Sequence, residues 1–147
     1  MELFDAYYLA GDAPEDWEGP AREVGQQALS ALCHYSQKSR NRYVKQAKEY
    51  IQGHSGDSRL SLETVAESVG IHSAYLSRLF YEICQVNFVS YVNRCRVEKA
   101  EILLKQTKIP VKEVGFKTGF NSMQNFNRVF KKYTGMTAGA YRKQEQP

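Results

Sequence analysis

From Arg22 onward apolar residues return every three or four positions, and polar or glycine-bearing turns separate the runs, so the chain reads as a string of helices. Val24, Ala28, Ala31 and Tyr35 step by four, three and four, a stripe that either packs on its own domain or pairs with a second copy. A polar break from Ser36 to Asn41 follows. Tyr43, Val44, Ala47, Tyr50 and Ile51 then make another helical face, ended by Gly53 and the turn from His54 to Ser58. Residues 1 to about 20 hold Gly11, Pro14, Gly19 and Pro20 among acids and Trp17, carry no sustained period, and read as a tail or linker.

Ser61 is suited to cap the next helix, with Glu63 in its first turn, where a carboxylate favours the helix dipole. Leu62, Val65, Ala66 and Val69 form its buried face, and Gly70 ends it, because a tight turn needs a residue that tolerates positive φ. A second helix starts near His72 or Ser73 and buries Tyr75, Leu76, Leu79, Phe80 and Ile83, and small Ala66 lets the pair cross closely. A longer helix, from about 88 to 105, is marked by Phe88, Tyr91, Val92, Cys95, Ala100, Leu103 and Leu104, and spans roughly 27 Å at 1.5 Å per residue. Ile109, Pro110 and Val111 open a further pair. Val111, Val114, Gly115 and Thr118 line its first helix, Gly119 and Phe120 make the turn, and Ser122 caps a helix that buries Phe126, Val129 and Phe130 and stops at Gly135. Ala140 and Tyr141 close this unit, and Arg142 to Pro147 form a polar end to which no role is assigned.

The two pairs repeat one another. Arg78, Leu79, Phe80 and Tyr91 recur fifty residues on as Arg128, Val129, Phe130 and Tyr141, whereas Val65 and Gly70 recur one step closer, as Val114 and Gly119. One residue has therefore been added to the second turn, between Gly119 and Arg128. Helix, tight turn, helix, used twice, is a unit that enters a DNA groove. Two such second helices on one DNA face sit about 34 Å apart, one turn of B-DNA, and the helix between them is a spacer of the right order.

In such a unit the N-terminal, solvent-facing side chains of the second helix meet base edges. Removing the core positions leaves Ser73, Ala74, Ser77 and Arg78 in the first copy, and Met123, Gln124, Asn127 and Arg128 in the second. Gln and Asn bond adenine bidentately, Arg bonds guanine, and Met or Ala offers only apolar contact such as a thymine methyl. Hydrogen-bonding chemistry is thus concentrated on the second copy. Lys112, Lys131 and Lys132 go to phosphate or to solvent. Arg94, Arg96 and Lys99 on the spacer stand near Glu98 and Glu101, which favours local pairing over phosphate.

Charge agrees with a polyanionic partner. Residues 1–40 hold seven acids and three bases, net −4, whereas residues 58–147 hold fourteen bases and seven acids, net +7, so the overall +4 understates the basic excess on the repeated part. Cys33, Cys84 and Cys95 have no paired spacing and read as reduced thiols in the cytoplasm, and no apolar run approaches a membrane span. His34, His54 and His72 are scattered, with no nucleophile–histidine–acid set, metal-ligand spacing or phosphate-cradling loop, so neither enzyme nor cofactor is expected. The rival to DNA binding is a helical protein-interaction module. It leaves the basic excess and the duplicated turn without a reason. RNA is a poorer partner because its A-form major groove is too narrow for these helices.

From about Tyr43 to Arg142 the sequence resembles the C-terminal DNA-binding domain of the AraC/XylS family of bacterial transcription regulators. The resemblance lies in the run Tyr75, Leu76, Ser77, Arg78, Leu79, Phe80; in Phe88 with Tyr91; in Arg96, Ala100, Leu103, Leu104 and Thr107; in Gly119 with Phe120; in Phe126 through Lys132; in Thr134 through Thr137; and in Tyr141 with Arg142. It implies an all-α domain of about seven helices, two helix-turn-helix subdomains (about 61–84 and 110–134) joined by a linker helix (about 88–105), after an N-terminal helical or linker extension over 1–40. It also implies recognition helices in adjacent major grooves, contact with RNA polymerase, transcriptional activation and a sensing domain elsewhere, so the sequence looks like the C-terminal portion of a longer regulator. A naturally short activator of the family is the alternative. A homodimer would use the stripe from Val24 to Tyr35. The sequence departs from the family pattern at His72 and Ser73, where a capping residue and Pro are common, and at Tyr81 and Glu82, which replace a basic pair. Gln85 replaces Gly, Gly115 replaces Ala, Asn125 replaces an aromatic and Ala138 replaces Pro.

Overall fold

The computed structural model describes residues 20–146, with side chains over 25–146. Among these residues there are seven helices and no strand: α1 Pro20–His54, α2 Leu62–Val69, α3 Ser73–Cys84, α4 Phe88–Gln106, α5 Val111–Lys117, α6 Met123–Thr134 and α7 Ala138–Glu145. The tail expected over residues 1 to 20 lies outside the described residues, apart from Pro20.

The expected break from Ser36 to Asn41 is absent, because α1 runs straight through it. Polar residues do not by themselves stop a helix, and no Gly or Pro falls between Gly25 and Gly53. The chain divides into two units, Met1–Ser39 and Arg40–Pro147. In the first, Ala28, Ala31 and Tyr35 are exposed, Tyr35 at 74%, so these positions of the stripe do not pack as a domain face. Val24 lies outside the described side chains.

The second unit holds two hydrophobic cores that share α4. Val44, Ala47 and Ile51 of α1, Val65 and Ala66 of α2, Leu76, Leu79 and Phe80 of α3, and α4 as far as Cys95 build the first. From Val97 onward α4 gives Val97, Ala100 and Leu104 to the second core, with Val114, Phe120, Phe126, Val129, Phe130 and Ala138. The fifty-residue repeat is a repeat of packing. Phe80 meets Tyr91 edge-on at 5.3 Å, and Phe130 meets Tyr141 edge-on at 5.5 Å.

Local chemistry sets the helix ends. Ser61 and Thr64 form a reciprocal capping box on α2, and Gly70 closes it at φ +78°. Ser122 accepts from the Asn125 amide at the start of α6, and Gly135 ends that helix at φ +79°. Gly70 stands three residues before α3 and Gly119 four before α6, which locates the added residue. At the helix crossing, Gly115 takes the place of Ala66. A Cβ on Gly115 would lie 3.0 Å from Met123 Sδ and 3.1 Å from Phe126 Cγ, so the second pair of helices occupies the space an alanine would need.

Three details depart from the sequence expectation. Ile83, in the last turn of α3, is 37% exposed, while Cys84 beside it keeps to the first core. Ala138, not Ala140, is the buried alanine of α7. The polar C-terminal end has structural work: Gln146 Nε2 donates to the carbonyls of Leu104 at 2.9 Å and Lys105 at 2.7 Å, free acceptors at the end of α4, and Lys105 pairs with Glu145 at 3.2 Å.

Candidate nucleic-acid interface

The core faces of α3 and α6 are fixed by Leu76, Leu79 and Phe80 in one and Phe126, Val129 and Phe130 in the other, so the opposite faces point to solvent. Ala74, Ser77 and Arg78 are exposed on α3, as are Gln124, Asn127 and Arg128 on α6. Ser73 and Met123, the first residue of each helix, are only half-exposed, and Met123 packs against the second core. Lys112, Lys131 and Lys132 are exposed.

The structure adds how each arginine is held. Arg128 Nη2 donates to Asn125 Oδ1 at 2.9 Å. At the equivalent place on α3, Tyr75 lies under the Arg78 guanidinium, 5.3 Å from ring centroid to Cζ, and Arg78 Nε is also 3.8 Å from Glu82 Oε1. Glu82 in turn pairs with Arg40 of α1. Tyr75 and Asn125 were legible only as a core residue and as a departure from a pattern. The signal for their second role is the shared spacing, three residues before each arginine.

The helix starts differ as well. Ser122 caps α6 with its side chain, whereas His72 precedes α3 in extended conformation without a side-chain cap bond. Helices α2 and α3 carry Glu63, Glu67 and Glu82 against Arg78, net −2, while α5 and α6 carry Lys112, Lys117, Arg128, Lys131 and Lys132 against Glu113, net +4. The attraction for a polyanion is therefore centred on the second pair.

On the spacer, Arg94 pairs with Glu98 at 3.7 Å, the local arrangement expected. Among the described residues, Arg96 and Lys99 do not pair with acids. Arg96 Nε donates to the Ser55 carbonyl at 2.9 Å and Nη2 to that of Asp57 at 3.0 Å, while Lys99 Nζ donates to the Gln52 carbonyl at 2.8 Å. The Gln52 carbonyl lies in the last turn of α1, where intrahelical donors run out, and those of Ser55 and Asp57 lie in the turn just after it, so these cations tie the end of α1 and its turn to α4. Burial pushes the Cys95 thiol and the Tyr91 phenol above their ordinary values. Among the described residues no three His, Cys, Asp or Glu side chains cluster as a metal site would require, and no helix is long and apolar enough to cross a membrane.

Residues 65–144 match the family model for a helix-turn-helix domain. The chain is 34% identical over 99 residues to the arabinose operon regulatory protein of Escherichia coli K12, a match covering 67% of this chain and 34% of that protein, so it spans about a third of that relative's length. The C-terminal domain of AraT, a response regulator from Geobacillus stearothermophilus, superposes with a TM-score of 0.67 at 34% identity, covering 69% of this chain and 84% of that one. An AraC-type regulator from Chromobacterium violaceum superposes with a TM-score of 0.67 at 25% identity, covering 73% and 96%.

Proposed function

The chain belongs to the AraC/XylS family of DNA-binding transcription regulators, and from that premise we propose that it binds duplex DNA sequence-specifically with α3 and α6 in adjacent major grooves. The observation that carries this is the pairing of two equivalent helices on one shared spacer, each exposing polar side chains on the face opposite its core. Helix α4 has nineteen residues and spans about 28 Å. With the flanking turns, this suits two readers one DNA turn apart.

In this reading Gln124, Asn127 and Arg128 of α6 meet base edges, and Met123 offers apolar contact at its exposed side. Arg78 is the principal reader of α3, with Ser73, Ala74 and Ser77 contributing small or apolar contacts. Lys112, Lys131 and Lys132 neutralise phosphates. The bound chain acts in the cytoplasm as the DNA-binding part, residues 41–147, of an activator that contacts RNA polymerase and takes its signal through a sensing domain. A second copy pairs through α1, where exposed Leu29, Leu32 and Tyr35 supply apolar surface.

Titration of labelled random-sequence duplexes at several salt concentrations tests the reading. Log affinity is expected to fall against log salt with a slope of about −0.9 per phosphate contact. Binding to no duplex pool, or binding indifferent to salt, overturns it.

A further inference from the structure

Beyond the shared helix itself, contacts between the two subdomains decide how stiffly they are held about its middle. Arg96 stands at that midpoint, between Cys95 in the first core and Val97 in the second. Its guanidinium bonds the carbonyls of Ser55 and Asp57, just after α1, and lies 5.7 Å from the centroid of the Phe120 ring, in the second turn. The backbones it joins are in close contact. A Cβ on Gly119 would fall 2.4 Å from the Ser55 carbonyl oxygen, and one on Gly56 would fall 3.0 Å from that of Lys117. At the far side, Tyr133 of α6 donates its hydroxyl to the Ser90 carbonyl at 3.0 Å, tying the second reader to the start of α4.

We propose that Arg96 and Tyr133 are positioning residues that lock the two helix-turn-helix subdomains into one rigid reader, so that the chain selects the spacing between half-sites as well as their sequence. This rests on the duplex-binding reading above. The physical basis is helical phase: two extra base pairs turn the second half-site by about 70° around the DNA axis and move it about 7 Å along it. A reader without these braces can flex on either side of α4 and follow part of that change. A braced one loses one of its two contacts.

Lys keeps the charge of Arg96 but not the planar fork that reaches two carbonyls while covering a ring. Tyr133→Phe removes one hydroxyl from a surface residue. Residual dipolar couplings of the free protein read the lock without DNA: one alignment tensor is expected to fit both subdomains of the natural chain, and two distinct tensors are expected for Arg96→Lys with Tyr133→Phe. Duplexes selected from a random library are then rebuilt with zero to three base pairs inserted between half-sites. The natural chain is expected to lose about tenfold in affinity at an insertion of two, and the double variant less than about threefold, with binding to a single half-site unchanged. An unchanged single tensor with an unchanged spacing preference in the double variant overturns the lock. If Arg96→Lys fails to fold, Tyr133→Phe alone must shift both readouts in the same direction or the proposal falls. If no duplex binds, the functional reading fails, while the dipolar couplings still decide whether the lock exists.

Discussion

Asn125 accepts a hydrogen bond from Arg128 one turn further along α6, at 2.9 Å, and the equivalent position on α3 is Tyr75, whose ring lies under Arg78. Both helices thus present an arginine braced from the same side, by a neutral amide in one and by an aromatic face in the other. Of the two, Arg78 alone has a carboxylate as well among the described residues, Glu82, and that charge competes with a base for its guanidinium.

The first consequence concerns Glu82. Replacing it by Gln removes a negative charge from the reading helix and frees Arg78, at the expense of the Arg40 pair. Glu82→Gln is expected to strengthen duplex binding by about 0.5–1 kcal/mol at low salt, the scale of an exposed ion pair, with the gain shrinking as salt rises. Fluorescence anisotropy at two salt concentrations measures it. Weaker binding would show that Glu82 aligns Arg78 for DNA instead of competing for it.

The two readers should differ in weight. Arg128→Ala and Gln124→Ala are each expected to cost roughly 1–3 kcal/mol and to relax one base position. Asn125→Ala, which removes only the brace, should cost about 0.5–1 kcal/mol. Ala74→Ser and Ser77→Ala should change affinity less than any of these. Equal losses from both helices in a competition assay would refute the asymmetry.

Gln85 closes α3 at φ +56°, the left-handed conformation that Gly135 takes at the end of α6, and it is the one non-glycine with positive φ among the described residues. Its side chain recovers some of the strain by donating to the Glu82 carbonyl at 2.9 Å. Gln85→Gly is expected to raise stability by about 0.5–1 kcal/mol, seen as a rise of a few degrees in melting temperature. At Gly70 a Cβ meets nothing within 4 Å, so Gly70→Ala should cost only the backbone strain, about 1 kcal/mol. Gly119→Ala should cost several times more, because strain is joined by overlap with the Ser55 carbonyl.

Burial holds Cys95 neutral above its ordinary 9.0 and Tyr91 neutral above its ordinary 10.0. A folded-state value raised above the unfolded one means that the native chain keeps a proton the unfolded chain has already lost. That contribution is complete below the unfolded value and disappears as pH rises through the folded one. The urea midpoint should therefore begin to fall above about pH 9, and Cys95→Ala should flatten the early part of that fall. A midpoint unchanged up to pH 11 would contradict it.

The sequence determined the helices from α2 to α6, the two turns and which sides of α3 and α6 face solvent, because each depends on local rules, whereas α7 did not show in the pattern. Helical period marks the buried side, Ser61 and Ser122 mark helix starts, and Gly70, Gly119 and Gly135 mark places where the backbone must turn left-handed. Phe80 with Tyr91 and Phe130 with Tyr141 even kept the duplicated packing visible at a constant offset. Where local rules are silent the sequence misled or said nothing: a polar stretch inside α1 read as a break, and the polar end from Arg142 carried no assigned role. Tertiary structure alone decided that Arg96, Lys99 and Gln146 bond carbonyls at or just beyond helix ends, and that Arg78 and Arg128 are held by different neighbours. Donors of that kind find acceptors up to 47 residues away in the chain, and no periodicity records which free carbonyl a folded chain will bring to them.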